Sequence, residues 1–339
     1  MDVKMKSDRY SRQTILSEIG DEGQEGLGQG RVAVVGLGAL GSVSSSLLAR
    51  AGVGKLVLID RDVVERNNLQ RQIIYTEDDV GESKAVVAAE ALMSVNPDIE
   101  IMGLANDLNH RNISRFLNDV DVIVDGTDNM ETRFLLNDYA VKNQIPYIYG
   151  GAIATYGMTL TIQPKEGPCL RCLFPQMPVP GTLPTCDTFG ILNTVSTLIA
   201  SLQTTEAIKL LVGHEPRKTL LVIDPWYNDQ REIEVTRRED CDCCEKEEYD
   251  YLNAKTKDVV VVLCGRDACS VTPPKGLEVP LAELEERLSK VGQTKIGRAT
   301  LSVSVDGYEI TLFKDGRALI RGTDDKAKAK SLYSQYIGH

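Results

Sequence analysis

The run RVAVVGLGALG at residues 31–41 constrains this chain more than any other stretch of it. Its opening residues, mostly apolar and β-branched, have the length of a short buried strand. Gly36, Gly38 and Gly41 follow in the order G-x-G-x-x-G, where the strand has to turn directly into a helix, and the next apolar run, KLVLID, ends on Asp60. Glycines at such a turn let backbone approach a phosphate at the positive end of a helix. A carboxylate at the tip of the second strand accepts hydrogen bonds from ribose hydroxyls. The pattern predicts a nucleotide site. Two alternatives stay open here: a turn packed tightly for structural reasons alone, and an NAD-dependent dehydrogenase, which shares the same glycines.

Around this turn, strands and helices alternate. Helices are expected at about 39–51 and 83–94 and over 110–118 and 131–143, while IEIMGL, DVIVDG and IPYIYG read as further short strands. Short apolar runs between helices imply βαβ units around a parallel sheet. From Gly157 the pattern changes to GMTLTIQP, the proline-rich PVPGTLP, a helix at about 191–212, and the strands LLVID and REIEV, which suit an antiparallel extension. The charged, cysteine-rich segment 237–250 marks a boundary. After it come the apolar run VVVVL, a helix near 281–291, hairpins turning at Asp306-Gly307 and Asp315-Gly316, and a last helix from about Asp324. The expected fold class is α/β, a Rossmann-like, mostly parallel sheet with an antiparallel extension, plus a small C-terminal α+β module. The expected domains are residues 1–244 and 245–339.

Charge narrows the partners. The 339 residues carry a net charge of −11; residues 1–244 hold 34 acidic against 23 basic side chains, whereas 245–339 hold 15 of each. Such a field repels phosphate backbones, so a nucleic-acid partner is not expected. The longest apolar stretch, 191–202, is interrupted by Asn193, Thr194, Ser196 and Thr197, and the first residues lack the apolar segment of a signal peptide. Neither a membrane role nor secretion is expected. Eight cysteines in that setting suit a reducing, cytoplasmic compartment, where paired thiols serve metals or catalysis more often than disulfides.

Residues beyond the glycine turn discriminate among nucleotides. Asn68 and Arg71 follow the second strand, and Lys84 opens the next helix; cations there suit a polyphosphate better than a nicotinamide. DGTDN sets Asp128, followed by Asn129, at the end of another strand, the edge where open α/β sheets bind ligands, and a carboxylate there suits magnesium. Cys169 and Cys172 form one C-x-x-C, Cys241 and Cys244 a second, so four thiolates are available for a tetrahedral structural zinc. Cys243 competes as a ligand, but only 241 with 244 completes the pair. A thioredoxin-like redox pair is the alternative, and it lacks the strand-turn-helix setting.

With RYSRQ, GLGALG, LIDRD, NNLQRQ, the lysine of GESK, DGTDN, PCLRC, PTCDTFG and CDCC in order, residues 9–244 resemble the MoeB/ThiF family, relatives of ubiquitin-activating enzymes. The resemblance implies adenylylation of the C-terminal Gly-Gly carboxylate of a small ubiquitin-like sulfur carrier by ATP and Mg²⁺, for sulfur transfer or protein conjugation. By the same resemblance Asp60 holds the ribose, Asn68, Arg71 and Lys84 contact the phosphates, Asp128 binds magnesium with Asn129 among the nucleotide-binding residues, and Arg12 reaches the partner's site in a homodimer. Ala39 stands where members often have another glycine. Cys186, in the proline-rich loop, matches a cysteine that in some relatives links covalently to the carrier and in others is dispensable; Asp187 beside it blunts the thiol. Cys264 begins CGRDACS, similar to the thiol loop of a rhodanese, a sulfurtransferase that is a possible partner or fused activity; a plain core cysteine is the other reading. A non-catalytic nucleotide-binding scaffold remains the rival outside enzymes altogether.

Overall fold

The computed structural model describes residues 8–178, 189–253, 260–262, 267–272 and 279–337. Two short N-terminal helices, α1 (Ser11–Thr14) and α2 (Gly20–Gln29), precede the sheet. The chain then runs β1 (Arg31–Val35), α3 (Gly41–Ala51), β2 (Lys55–Ile59), α4 (Lys84–Val95), β3 (Glu100–Leu104), α5 (Ile113–Leu117), β4 (Val122–Asp125), α6 (Met130–Asn143) and β5 (Tyr147–Ile153). It continues through β6 (Tyr156–Ile162), α7 (Leu170–Leu173), α8 (Asn193–Leu211), β7 (Leu220–Asp224) and β8 (Asp229–Ile233). These eight strands lie in the order β3-β2-β1-β4-β5-β6-β7-β8. β1 to β5 pair in parallel, and β5 to β8 antiparallel. This is the α/β sheet with an antiparallel extension that the sequence pattern predicts.

The order reverses between β1 and β4. Strand succession steps one way from β1 to β3, then crosses to β4 on the other side, so the helices that follow β1 and β4 pack on opposite faces, the arrangement that puts a ligand crevice at the C-terminal ends of the strands. Alternate residues of the parallel strands feed two cores, Val32 and Val34 on one face with Leu48, Ala88 and Leu92, and Ala33 and Val35 on the other with Leu136 and Tyr139. Burial on both faces explains why the strands read as unbroken apolar runs. α3 is buried almost all round, and its Ser44 and Ser45 hydroxyls donate to backbone carbonyls of Ala200 and Gly41. Small side chains let it pass close to α8, and Gly52 ends it with φ +86°. The helix expected from about Ala39 begins at Gly41, because residues 38–40 form the turn itself.

The C-terminal module is an antiparallel sheet of β9 (Val260–Val262), β10 (Ala268–Val271), β11 (Gln293–Ile296), β12 (Thr300–Val305), β13 (Tyr308–Phe313) and β14 (Ala318–Arg321), ordered β11-β12-β13-β14-β10-β9. The helices α9 (Leu281–Leu288) and α10 (Lys326–Tyr336) cover one face. Asp306 and Gly307 both take positive φ, 52° and 80°, which gives the two-residue turn whose twist matches flanking strands. Residues Tyr249, Tyr251 and Leu252 of the intervening segment pack on the first core. No helix among the described residues is long and apolar enough to cross a membrane.

Candidate functional site

The crevice between the β1 and β4 loops begins with glycine contacts. Gly36 has φ +84°, and a Cβ there would stand 2.6 Å from the Gly126 carbonyl carbon; one on Gly41 would overlap the Gly36 carbonyl oxygen. These two glycines are demanded by the protein's own packing. Gly38 is different: a Cβ on it would meet nothing nearer than 3.7 Å. Its small size leaves space above the turn for a ligand, which is the property a phosphate cradle requires. Ala39, next to it, is half-buried.

Asp60, at the end of β2, accepts the Leu37 N–H at 2.6 Å and the Asp62 N–H at 2.7 Å. The carboxylate thereby pins the glycine turn while its side chain keeps an opening to the crevice. Crowding by protein atoms raises its carboxyl above the ordinary value, against the pull of Lys84. Lys84, first residue of α4, is 3% exposed, and its Nζ lies 3.7 Å from Asp62 Oδ2. Arg61 sits between the same carboxylate and Asp107, at 4.0 and 3.3 Å. Burial works against the Arg61 charge, but Asp107, Asp62, Asp128 and Asp60 together hold its guanidinium above the ordinary range. Asn68 is buried and accepts the Glu65 N–H at 3.2 Å. Arg71, one turn on, is half-buried and donates to the Asn67 carbonyl at 2.9 Å.

Across the crevice, Asp128 is exposed and takes a hydrogen bond from Asn129 Nδ2 at 3.4 Å. Asn129 is the N-cap of α6, its Oδ1 accepting the Thr132 N–H at 2.9 Å, so its carbonyl oxygen is already occupied. Beneath them lies a network that residue patterns missed. Asp125, fully buried, accepts from Thr127, from Arg133 Nε at 3.2 Å and from the Tyr147 hydroxyl at 2.8 Å. Arg133 also donates to the carbonyls of Thr127 (2.6 Å) and Gly150 (3.0 Å), and Gln203 donates to those of Asp125 (2.9 Å) and Ile148 (3.0 Å). Together these fix the loop that presents Asp128. The signal for Arg133 was its position one turn into α6, facing a strand that ends on an aspartate.

Arg12 lies on α1, exposed, with no ion pair among the described residues. It joins none of the crevice residues of its own chain in any hydrogen bond or ion pair described. Cys186 and Cys264 lie outside the described residues.

Far along the chain from the crevice motifs, the two C-x-x-C pairs meet. The sulfurs of Cys169, Cys172, Cys241 and Cys244 all lie within 4.8 Å of one another, with Cys169 to Cys241 at 3.6 Å and Cys172 to Cys244 at 3.5 Å. A tetrahedral four-thiolate shell with Zn–S of about 2.3 Å has edges of about 3.8 Å, so the spacing fits. The Arg238 N–H points at Cys172 Sγ from 3.5 Å, and Asn137 Oδ1 accepts the Leu170 N–H at 2.7 Å, orienting the first pair from α6. Cys243 is not among these four; its buried sulfur takes a hydrogen bond from Asn137 Nδ2 at 3.3 Å. Nearby Asp138 is pushed up to about 6 by burial, although the Tyr251 amide and Arg171 favour its charge.

A glycine turn with a strand-end carboxylate and a buried lysine beside it, and a four-cysteine group elsewhere, is the layout of a nucleotide-binding α/β protein with a metal-ready scaffold. The chain belongs to the ThiF family, whose model matches residues 10–244. It is 40% identical over 335 residues to the sulfur carrier protein ThiS adenylyltransferase of Bacillus subtilis, covering 97% of this chain and 99% of that one. It is also 40% identical over 255 residues to the SAMP-activating enzyme E1 of Haloferax volcanii, covering 73% and 94%. Among solved structures, E. coli MccB with AMPCPP and MccA superimposes with a TM-score of 0.63 at 25% identity, over 71% of this chain and 74% of that one.

Proposed function

We propose that this protein is an adenylyltransferase that uses ATP to activate the C-terminal carboxylate of a ubiquitin-like sulfur carrier. The observation that carries the reading is the gathering of Asp60, Lys84 and the open space at Gly38 at one strand-to-helix turn, with Asp128 acting on the same Arg61 as Asp60 and Asp62. The similarity to a ThiS adenylyltransferase over nearly the whole chain supports it. In the reaction a carboxylate oxygen of the carrier bonds to the α-phosphorus of ATP, the bond to the bridging oxygen breaks, and pyrophosphate leaves. The carboxylate is already ionised at neutral pH, so the protein supplies placement and charge. Asp60 would hold the ribose, with Asn68, Arg71 and Lys84 along the phosphates. Mg²⁺, anchored by Asp128, would neutralise the triphosphate. A dehydrogenase leaves the cations Arg71 and Lys84 beside the glycine turn and the two C-x-x-C pairs unexplained. The test is isotope exchange between pyrophosphate and ATP in the presence of a small protein ending in Gly-Gly. Carrier-dependent exchange is expected; tight NAD binding without exchange would sink the reading.

Three further parts belong to this proposal. The catalytic unit is residues 1–244 and the α+β module 245–339. Zinc in the cysteine cage would brace α7 and the 241–244 turn against the core, with no part in the chemistry. The working form is a homodimer in which Arg12 of each chain serves its partner's crevice. Exposed Arg12 beside Ile15 and Leu16, which are 73% and 50% exposed, supports that last point, since apolar residues in the same short stretch suit a covered surface. Mixing Arg12→Ala and Asp128→Ala subunits is expected to recover activity that neither variant has alone, because each heterodimer then holds one intact site. Subunit exchange without recovery would exclude sharing.

A further inference from the structure

The second sheet has two buried faces, and only one is covered by its own helices. Along β10, β13 and β14, Cys269, Leu312 and Ile320 point into the module's core with α9 and α10. The alternate residues Ala268, Phe313 and Leu319 are buried against Val63 and Ala105. Those two belong to the loops leaving β2 and β3, the outer wall of the crevice.

Polar contacts follow the same seam. Arg321 on β14 reaches Glu65 at 2.7 Å; the Glu65 N–H donates to Asn68 Oδ1 at 3.2 Å and opens the tight turn that contains Asn68. Arg298, between β11 and β12, donates from its backbone to Glu82 at 2.8 Å and from its guanidinium to Glu90 at 2.9 Å and Asp79 at 3.4 Å. Thr300 Oγ1 donates to the Gly81 carbonyl at 3.4 Å. Residues 79–83 are the last before Lys84, so the contacts of Arg298 and Thr300 set where α4 begins. Asn106 adds a bond to Asp315 at 2.9 Å beside the β3 loop.

We propose that the C-terminal sheet is a wall of the nucleotide crevice, and that Arg321 and Arg298 are positioning residues that fix the loops carrying Asn68 and Lys84. The inference rests on reading the crevice as an ATP site. The Arg321–Glu65 pair is part-buried and the Arg298–Glu90 pair exposed; ion pairs still in touch with solvent contribute modestly to stability, so the effect of these two is expected in the arrangement of the loops more than in the melting temperature. The apparent dissociation constant rises in inverse proportion to the fraction of molecules whose loops are correctly placed. Loops correct about a tenth of the time therefore bind ATP about tenfold more weakly.

Calorimetric titration with ATP and Mg²⁺, paired with steady-state exchange kinetics, tests this on the full chain. Arg321→Gln is expected to weaken ATP binding about tenfold and to raise KM for ATP in parallel. KM for the carrier and the zinc content should stay at wild-type values, and Arg321→Lys should restore most of the ATP affinity. A merely structural role would lower the melting temperature and leave the ATP constants alone, which would overturn the proposal. Should Arg321→Gln not fold, Arg298→Ala, whose side chain is 43% exposed, carries the same test and the same expectation. A wild-type protein that binds no ATP sinks the reading of the crevice itself. Wild-type binding with unaltered affinity in the variants sinks only the role of the sheet.

Discussion

Asp128→Ala should lower carrier-dependent pyrophosphate exchange by about a thousandfold while the protein keeps its fold and its melting temperature. The activity loss follows from the charge the reaction must neutralise: removing one preorganised group that faces developing charge costs about 10²–10³ in rate, and an anchor for Mg²⁺ stands at the upper end. The intact fold follows from exposure, since the only described bond to this carboxylate is the long one from Asn129. Asp125→Ala makes the contrasting case. That residue is fully buried beneath the same loop and holds Arg133 and the Tyr147 hydroxyl, so its removal leaves a buried guanidinium without its counter-charge. Breaking one side of a buried pair typically costs about 3–5 kcal/mol, and this variant should melt early. Steady-state exchange and thermal melts measured on both variants separate chemistry from scaffold. Exchange by Asp128→Ala within tenfold of wild type would falsify its assignment.

The second large effect is expected at the cysteine cage. Cys172→Ser should lose bound zinc and with it the folded state of the catalytic unit, whereas Cys243→Ser should keep about one equivalent per chain. Structural zinc binds four thiolates with an apparent free energy of about 10–16 kcal/mol at neutral pH. Whole domains are stable by only about 5–15 kcal/mol, so losing one ligand of the cage consumes a large part of the total. The cage ties α7 to the 241–244 turn, and Cys169, Cys172, Cys241 and Cys243 all belong to the principal core. Elemental analysis and melts with and without chelator check this. Equal zinc loss in the two variants, or less than about half an equivalent in the wild type, would remove the four-ligand reading.

The two C-x-x-C pairs were readable because ligand spacing is a local property: two residues between cysteines put both sulfurs on one side of a tight turn. The spacing also chose Cys244 over Cys243 as the partner of Cys241; the fold adds that Cys243 lies outside the four-sulfur group and takes a hydrogen bond from Asn137 of α6. The glycine turn shows the same division. Gly36 is required by the approach of Gly126 in the β4 loop, a contact between segments some 90 residues apart, Gly41 by the Gly36 carbonyl within the turn itself, while Gly38 is free of any such demand.

Elsewhere the division follows the range of the forces. Alternating apolar runs and helical segments, the Asp-Gly hairpin turn and the small-residue helix α3 are written in neighbouring residues, because backbone geometry and local burial fix them. The sequence by itself therefore determined a mostly parallel sheet with an antiparallel extension, a glycine turn from strand to helix, two C-x-x-C pairs and an α+β tail. Only the tertiary structure decided that Asp125, Arg133, Tyr147 and Gln203 form one buried network under Asp128, and that Asn129 is engaged as a helix cap. It also decided that the tail is docked on the loops around Asn68 and Lys84 through Phe313, Arg321 and Arg298. The physical reason is that a buried charge or an apolar sheet face is stable only against a specific partner, and that partner is chosen by the path of the chain through space, which no run of adjacent residues encodes.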